Sequence, residues 1–361
     1  AGLVIARFGV PVVFALNAVS VVLFAIALLV WRRPSAGSEV RRERFVPALR
    51  AGGRYIWHEP VVRRILFRVM LFVIPAMALW ALLPLIASQR LGLEADGYGA
   101  LFGALGLGAI VGAVVLPLVR DRLSTNGTLG AAVVLYAAAQ AGIVLAPNFP
   151  AALATLVLAG LSWMAVTSTL VSELQLFLPA WVRARGLAVF TVTFTGAMTA
   201  GALVWGLVAE GVGLLPTVLL AAVVVLAGAV AGLFWRVPET GHLDPQPAIY
   251  WADARLAYDP EPDTGPIVVI VYYTVTPQRQ AAFLEAMVQL RRSRLRTGAT
   301  RCELYRDGER PDRFLEIFSV PSWEEHLRQH TGRLTAVDRQ IEEAAHAFSD
   351  PPPWADHLLP P

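Results

Sequence analysis

The first two-thirds of the chain alternates between long apolar runs and short polar connections. Each apolar run is about twenty residues long, which is the length an α-helix needs to cross about 30 Å of hydrocarbon. A soluble fold would have to surround every one of these segments with core on all sides. The pattern therefore predicts a membrane domain over residues 1–235. Its seven predicted spans are residues 10–30, 66–87, 98–118, 127–146, 151–173, 186–209 and 214–235.

The third predicted span carries a stripe of small residues and ends in the charged triplet Arg120-Asp121-Arg122. Two glycine pairs, Gly99/Gly103 and Gly108/Gly112, are each separated by about one helical turn. Glycine in a water-exposed helix costs about 1 kcal/mol relative to alanine. In lipid, by contrast, small residues four apart let two helix backbones approach closely. We therefore expect close helix packing along this stripe.

The arginines are distributed unevenly between the two sides of the predicted membrane domain. Loops 31–65, 119–126 and 174–185 hold nine, two and two arginines, whereas the other three loops hold one, none and none. Arginine-rich loops stay in the cytoplasm, so the alternation predicts that residue 236 emerges there. Residues 1–235 carry a net charge of +8 and residues 236–361 a net charge of −5. The basic total therefore indicates membrane-flanking loops and gives no sign of a nucleic-acid partner.

Two further segments follow from the pattern outside the spans. Residues 46–58 predict a short helix that could lie along the membrane surface. This helix ends before Pro60, because proline clashes with the preceding helical turn. Residues 236–265 are rich in proline and aspartate and predict a linker. Residues 266–361 then show strand and helix patterns in the order β-α-β-β-α-β, with a capping box at Ser322 and Glu325. This order predicts a small ferredoxin-like domain.

The predicted fold class is therefore an all-α polytopic membrane bundle of about seven transmembrane helices, followed by a small α+β ferredoxin-like domain in the cytoplasm. The predicted strands cover residues 267–275, 300–306, 313–320 and 354–359. The predicted helices cover residues 278–296 and, as one helix or two, the segment from residue 322 to residue 348.

Several polar residues fall inside or at the ends of the predicted spans. The candidate cavity or coupling residues are Asn17, Gln140, Glu173, Gln175, Thr191, Thr195 and Thr199. The three threonines share one helix face, where they could line a cavity or bond the carbonyl four residues back. Glu173 is a coupling candidate because ionisable groups within membranes are commonly functional, although at the interface it would only be solvated. Asn17 could line a cavity or form one structural hydrogen bond.

Other chemistry is sparse in this sequence. His326 and His330 have the spacing of a zinc-binding pair, but no third ligand is evident, so histidines on the surface of a soluble helix are the favoured interpretation. Cys302 is the single cysteine and is expected to be a small core residue. Trp80, Trp163 and Trp205 could stack on an aromatic substrate, but packing or lipid contact is the favoured interpretation. We predict no catalytic residue, no metal site and no cofactor, and the sequence contains no lysine with which to build a phosphate-binding loop.

The first part of the chain resembles the second half of a major facilitator superfamily transporter. The residues that carry this resemblance are Arg54-Tyr55 with Pro60, the glycine-rich third span, and the motif Pro179-x-Trp181-Val182-Arg183-x-Arg185-Gly186. The similarity points to the branch called transmembrane secretion effectors, which includes bacterial siderophore exporters. That family has twelve spans, so the resemblance implies that the first five are missing here.

The resemblance also implies a gate on the cytoplasmic side. The superfamily carries a Gly-x-x-x-Asp-Arg motif where this chain has Pro117 through Arg122, so the first glycine is replaced by Pro117. By analogy, Arg120, Asp121 and Arg122 form the gate, in which Asp121 pairs with arginine and with helix N-termini. The alternative is a set of solvated interface charges that only orient the chain in the membrane.

Residues 266–359 resemble the antibiotic-biosynthesis-monooxygenase-like family, on the order of their elements and on residues 323–330. Some relatives oxidise polycyclic phenols without metal or flavin, but no residue set here fixes that activity. This family commonly dimerises through its sheets, which implies a second copy of the chain as a partner.

These observations predict a secondary active efflux transporter of small amphipathic molecules, driven by protons, in the inner (plasma) membrane. The class of cargo is a drug, a siderophore or a secondary metabolite, and the partners are the lipid bilayer, the cargo and protons. Because one helix bundle is nearly absent, we expect this chain alone not to transport. The alternative is a membrane-tethered, cofactor-independent monooxygenase-like enzyme or sensor that acts through residues 266–361.

Overall fold

The computed structural model describes residues 10–31, 45–238, 256 and 260–361. The chain forms two compact units. The first comprises Ala1–Arg42, Phe67–Leu170 and Val192–Val237, and the second comprises Glu43–Leu66, Val171–Thr191 and Pro238–Pro361.

Eight helices precede the sheet domain within these described ranges. They are α1 Val10–Val30, α2 Phe45–His58, α3 Pro60–Leu85, α4 Ala95–Arg120, α5 Thr125–Leu145, α6 Phe149–Phe177, α7 Ala180–Val212 and α8 Leu214–Phe234. Six of them, α3 to α8, are long and apolar enough to cross a membrane. The remaining predicted span forms α1, in which the stretch Phe14–Val30 is apolar. Side chains are exposed along the whole of this stretch.

The second predicted span begins earlier than the sequence pattern indicated. We expected residues 66–87, whereas α3 begins at Pro60 and is continued by a π-helical turn over Ile86–Arg90. Proline suits the first helical position because that residue needs no intrahelical N–H partner. Pro60 therefore ends α2, as predicted, and also starts α3.

The glycine stripe of α4 makes one close helix contact with α6. A Cβ atom added at Gly108 would lie 2.0 Å from the Val157 carbonyl oxygen, and one at Gly112 would lie 2.8 Å from the Leu161 oxygen. The same modification at Gly160 of α6 would meet the Leu105 oxygen of α4 at 2.0 Å. The prediction of close packing is confirmed for the Gly108/Gly112 pair. It is wrong for Gly103, which has open space where a side chain would be.

The sheet domain contains four antiparallel strands in the order β2-β3-β1-β4. The strands are β1 Ile267–Thr274, β2 Arg301–Arg306, β3 Arg313–Val320 and β4 Trp354–Leu358. The helices are α9 Gln280–Thr297 after β1, then α10 Trp323–Arg328 and α11 Ala336–His346 after β3. This strand order and connectivity are those of a ferredoxin-like fold.

Strict alternation of side chains places one face of the sheet in a core. Along β1 and β3 every second residue is buried, including Val269, Tyr273 and Phe318. Phe283 and Leu290 of α9 pack on this face. Cys302 of β2 is 2% exposed, which confirms the prediction that it is a core residue.

Two helix starts in this domain are capped as the local sequence requires. Ser322 accepts a hydrogen bond from the Glu325 N–H, but the Glu325 carboxylate binds Arg333 instead of completing the predicted capping box. A complete capping box occurs instead at Thr335 and Asp338, at the start of α11. Charged side chains that cap helices in this domain thus also take part in ion pairs.

Candidate functional site

Backbone carbonyls around Pro75 of α3 accept hydrogen bonds from side chains of two other helices. Pro75 lies within α3 and cannot donate to the carbonyl four residues earlier. Trp205 Nε1 donates to the Ile74 carbonyl oxygen at 2.9 Å, and Tyr136 Oη donates to that of Ala76 at 2.9 Å. The carbonyl that lacks its helical donor because of Pro75 is that of Leu71, so these hydrogen bonds are additional ones, made to carbonyls next to the proline.

Gln140, a predicted cavity residue, belongs to the same arrangement. Its side chain is fully buried, and Nε2 donates to the Pro75 carbonyl oxygen at 3.4 Å. Three successive carbonyls of α3 thus receive hydrogen bonds from α5 and α7. The contact links Gln140 of α5 to α3 at Pro75.

A cluster of aromatic rings centred on Trp163 of α6 includes two rings from the same stretch of α3. The Trp163 ring centroid is 5.2 Å from that of Trp80, 5.6 Å from Phe72 and 6.0 Å from Phe194. Phe72 is buried, whereas the other three side chains are half-buried. The cluster therefore has a packed inner side and an accessible apolar side. The sequence analysis did not select Phe72 and Phe194 as candidates. Their position in the middle of predicted spans is the signal that could have identified them.

The same unit also holds a small cavity with one arginine in its wall. The cavity is lined by Arg68, Leu71, Phe72, Leu129, Val133, Val166, Leu170 and Gly228. Arg68 is half-buried. Its guanidinium occupies the space beside Gly232, because a Cβ there would lie 1.3 Å from Nη1. Gly228 and Gly232, four residues apart in α8, are the sequence signal that could have indicated space for this arginine.

The predicted gate residues lie at the end of α4. Arg120 Nη2 donates to Thr169 Oγ1 of α6 at 3.0 Å, and the Thr169 side chain is buried. Asp121 and Arg122 lie in the following turn and are exposed. All three residues of the triplet are exposed, and Arg120 is in addition joined to a second membrane helix.

The remaining predicted cavity residues are mostly exposed. Thr191, Thr195 and Thr199 of α7 are exposed. Two of their hydroxyls donate to backbone: Thr191 to the Leu187 oxygen at 2.9 Å and Thr199 to the Thr195 oxygen at 3.0 Å. Asn17 is exposed on α1. The structure therefore does not gather these four side chains with Gln140.

Near the end of α6, the two remaining candidates differ in burial. Glu173 is half-buried, whereas Gln175 is exposed. Both belong to the second compact unit rather than to the unit that holds the aromatic cluster.

The histidine pair of the sheet domain is buried, so the expectation of surface histidines is wrong. His326 and His330 are 1% and 8% exposed, and the His326 ring lies 5.0 Å from that of His357. Burial, reinforced by neighbouring positive groups, lowers the pKa of His326 to about 3 and that of His330 to about 2. Both are therefore neutral at physiological pH. The described residues include no cluster of His, Cys, Asp and Glu arranged to hold a metal ion.

A second buried cluster fills the layer between sheet and helices. Arg294 is 1% exposed, and it binds Glu316 at 3.1 Å and Glu342 at 2.6 Å. Tyr273 Oη donates to the same Glu316 carboxylate at 2.9 Å. Buried charges are tolerated when they are paired in this way. Tyr273 of β1 and Glu316 of β3 thus point towards the helices, where Glu316 forms hydrogen bonds with both Tyr273 and Arg294.

Six membrane-length helices, α3 to α8, followed by a ferredoxin-like domain, define a polytopic membrane protein. The chain belongs to the transmembrane secretion effector family of the major facilitator superfamily, because the family profile matches residues 1–359. It is therefore a transmembrane secretion transporter. The match also includes the ferredoxin-like domain, which sequence reasoning had assigned to a separate resemblance.

Comparisons with individual proteins concern mainly the sheet domain. No curated protein matches the chain. A crystal structure from Bordetella bronchiseptica, assigned as an antibiotic biosynthesis monooxygenase, is 21% identical, with a TM-score of 0.23, and the match covers 26% of this chain and 96% of that one. A protein of the same assignment from Nitrosomonas europaea is 17% identical, with a TM-score of 0.24, and the match covers 28% and 95%.

Proposed function

We propose that this transporter exports small amphipathic molecules and that the rings around Trp163 contact the cargo. The observation that carries the proposal is the accessible apolar side of this cluster within a membrane unit. Amphipathic molecules present apolar surface and aromatic rings, and aromatic side chains bind both through area burial and ring stacking. The inner rings, Phe72 and Tyr136, hold the outer ones in place.

The test measures uptake into inverted membrane vesicles prepared from cells that express the complete gene encoding this chain. A panel of siderophores, dyes and antibiotics is added under a proton gradient. We expect gradient-dependent uptake, with at least a tenfold loss of kcat/KM in Trp163→Ala. Trp31→Ala is the matched control, because Trp31 is 69% exposed beyond the end of α1. Equal activity in the Trp163 variant and wild type would remove the cluster from the cargo path.

We further propose that protons drive export and that Glu173 is the coupling group. Its carboxyl is half-buried in an apolar helix, and such groups commonly carry protons through membrane proteins. Glu173→Gln is expected to abolish gradient-driven uptake while preserving exchange of cargo down its own gradient. Glu210→Gln is the control, because Glu210 is exposed at the end of α7. Uptake that persists after the gradient is collapsed would contradict proton coupling.

The gate assignment becomes a proposal about Arg120 in particular. Its hydrogen bond to buried Thr169 joins the ends of α4 and α6, so breaking it should loosen this side of the transporter. Thr169→Val keeps the side-chain shape but removes the acceptor. We expect this variant to leak cargo in both directions, whereas Arg122→Gln should not.

The proposed orientation in the inner membrane places the arginine-rich loops and the ferredoxin-like domain in the cytoplasm. Leu123→Cys and Glu210→Cys each introduce one exposed thiol, and the native Cys302 is buried. An impermeant thiol reagent applied to intact cells should label only Glu210→Cys. Labelling of Leu123→Cys under these conditions would reverse the orientation.

We also propose that two copies pair through the outer face of the sheet. This face carries Tyr272 stacked on Trp354 with ring centroids 4.8 Å apart, and Tyr305 and Leu358 are about half exposed. Apolar and aromatic groups on an open sheet face are typical of a protein interface.

A further inference from the structure

Glu59 joins the start of a membrane helix to the ferredoxin-like domain. It lies between α2 and α3 and is 3% exposed. One carboxylate oxygen, Oε1, accepts a hydrogen bond from the Val61 N–H at 3.2 Å and so caps the first turn of α3. The other, Oε2, accepts from Arg296 Nη1 of α9 at 2.6 Å. A carboxylate at a helix N-terminus is favoured by the helix dipole, and here the same carboxylate also binds a cation.

The opposite side of Arg296 binds a second carboxylate in a similar position. Asp338 Oδ1 accepts from Arg296 Nη2 at 2.6 Å, while Asp338 Oδ2 accepts from the Thr335 N–H and caps α11. One guanidinium thus bridges the carboxylates that cap α3 and α11. Burial raises the pKa of Asp338, but Arg296 and the hydrogen bonds lower it by more, so the net pKa lies below its usual value.

A second joint involves the first residues of α7. Trp181 packs edge-on against Tyr55 of α2 with ring centroids 5.6 Å apart, and the Arg333 guanidinium lies 4.9 Å from the Trp181 ring centroid. Arg333 is oriented by Glu325, whose two oxygens accept from its two Nη atoms at 2.8 and 2.9 Å. Cation–π pairs of this kind contribute most when they are shielded from water.

The face of α2 that takes part in these joints is buried and has small residues. Ala51 and Tyr55 are 2% and 4% exposed, and Gly52 leaves room for the Arg185 side chain, since a Cβ at Gly52 would lie 2.7 Å from Arg185 Cδ. The opposite face of α2 is exposed at Leu49 and Trp57. Contact with the domain therefore explains why only one side of this amphipathic helix is buried.

We propose that the helical face of the ferredoxin-like domain is a docking surface for the transporter's own α2 and for the start of α7. Arg296 and Arg333 anchor it at the first turns of α3 and α7. The domain is held by this docking, independently of the segment that connects it to α8. The chemistry of the joint is specific, because removing one partner of a buried ion pair leaves a charge without compensation. The proposal goes beyond the export function and does not depend on the identity of the cargo.

The experiment cleaves the segment between α8 and the ferredoxin-like domain and measures whether the domain remains bound to the membranes. A protease site is inserted between Gly241 and His242 of the full chain, membranes are cleaved, and the sedimented and released fractions of the C-terminal fragment are measured. In wild type we expect the fragment to sediment with the membranes. Glu59→Arg should increase the released fraction at least tenfold, and Trp181→Ala should increase it to a smaller extent.

Two controls separate lost docking from unfolding. Arg301→Glu changes a 72%-exposed arginine of β2 and should leave retention unchanged. Fragment released by Glu59→Arg should keep Cys302 protected from alkylation, because Glu59 lies outside the fragment. Release of the wild-type fragment on cleavage would overturn the proposal. Retention equal to wild type in both Glu59→Arg and Trp181→Ala would also overturn it.

Discussion

Trp205 of α7 donates a hydrogen bond to the Ile74 carbonyl oxygen of α3, immediately before Pro75. Gly201, one turn earlier in α7, lies so close to Ile74 that a Cβ there would be 2.5 Å from the same oxygen. The contact therefore combines a side-chain donor with a close backbone approach. It holds α7 against α3 at Ile74.

Replacing Trp205 by phenylalanine tests the value of this donor. Phenylalanine keeps an aromatic ring but loses the N–H and the smaller ring of the indole. The expected cost therefore combines about 1 kcal/mol for the hydrogen bond with the cost of the cavity that the lost atoms leave. We expect a lower midpoint of thermal unfolding in detergent. Trp31→Phe, at an exposed site, should leave the midpoint unchanged. Equal midpoints for the two variants would show that the donor contributes no stability.

Two glycines of α4 differ in what a side chain would meet. Gly108→Ala must push α4 away from the Val157 backbone, and overpacking of this kind costs about 1–3 kcal/mol. Gly103→Ala meets nothing within 4 Å and should be neutral or stabilising, because alanine favours helix. Thermal unfolding in detergent measures both variants. A Gly108 variant as stable as the Gly103 variant would contradict the close approach.

The buried histidines predict that acid destabilises the ferredoxin-like domain. The pKa values of His326 and His330 are lower in the folded state than the usual value near 6.5, so the unfolded state binds more protons below that pH. Stability should therefore fall as pH drops from 6.5 towards 3, by about 2 kcal/mol per histidine at pH 5. The rate of Cys302 labelling in urea, relative to fully denatured protein at the same pH, measures this unfolding.

The variant His326→Gln/His330→Gln should flatten this pH dependence, because glutamine does not titrate. His58→Gln is the control, since His58 is half-buried at the end of α2 and lies outside the ferredoxin-like domain. An unchanged slope in the double variant would place the acid sensitivity elsewhere in the domain.

The outer sheet face predicts dimers of the chain in mild detergent. Leu358→Arg puts a charge on that face and should shift the measured mass from dimer to monomer. Leu284→Arg changes a similarly exposed leucine of α9, 46% against 50% exposed, and should leave the mass unchanged. A monomeric wild-type chain would contradict the pairing.

Hydropathy and turn residues were enough to predict six membrane-length helices and the order of strands and helices along the sheet domain, because length and periodicity depend on local sequence. The first span was found at the same residues as α1, and the strand at 313–320 matches β3. The burial of His326 and His330 was not accessible in this way. It depends on which side of α10 faces the sheet and on the distant residue His357, and both depend on tertiary packing.

The candidate site was predicted less well for the same reason. Gln140 and the threonines of α7 look alike in sequence, as single polar groups within apolar helices. Gln140 donates to the Pro75 carbonyl of a neighbouring helix, whereas Thr191 and Thr199 donate to their own helix. The ion pair of Glu59 with Arg296 joins residues 237 positions apart, and no local pattern indicates it.

Cys302 has a practical consequence for spectroscopy of this protein. It is the single thiol of the chain, it is 2% exposed, and burial together with Glu316 raises its pKa well above the usual value. Native protein can therefore receive one introduced surface cysteine and be labelled there with a spin or fluorescent probe without first removing Cys302. Movements of individual helices can then be followed in an otherwise unaltered sequence.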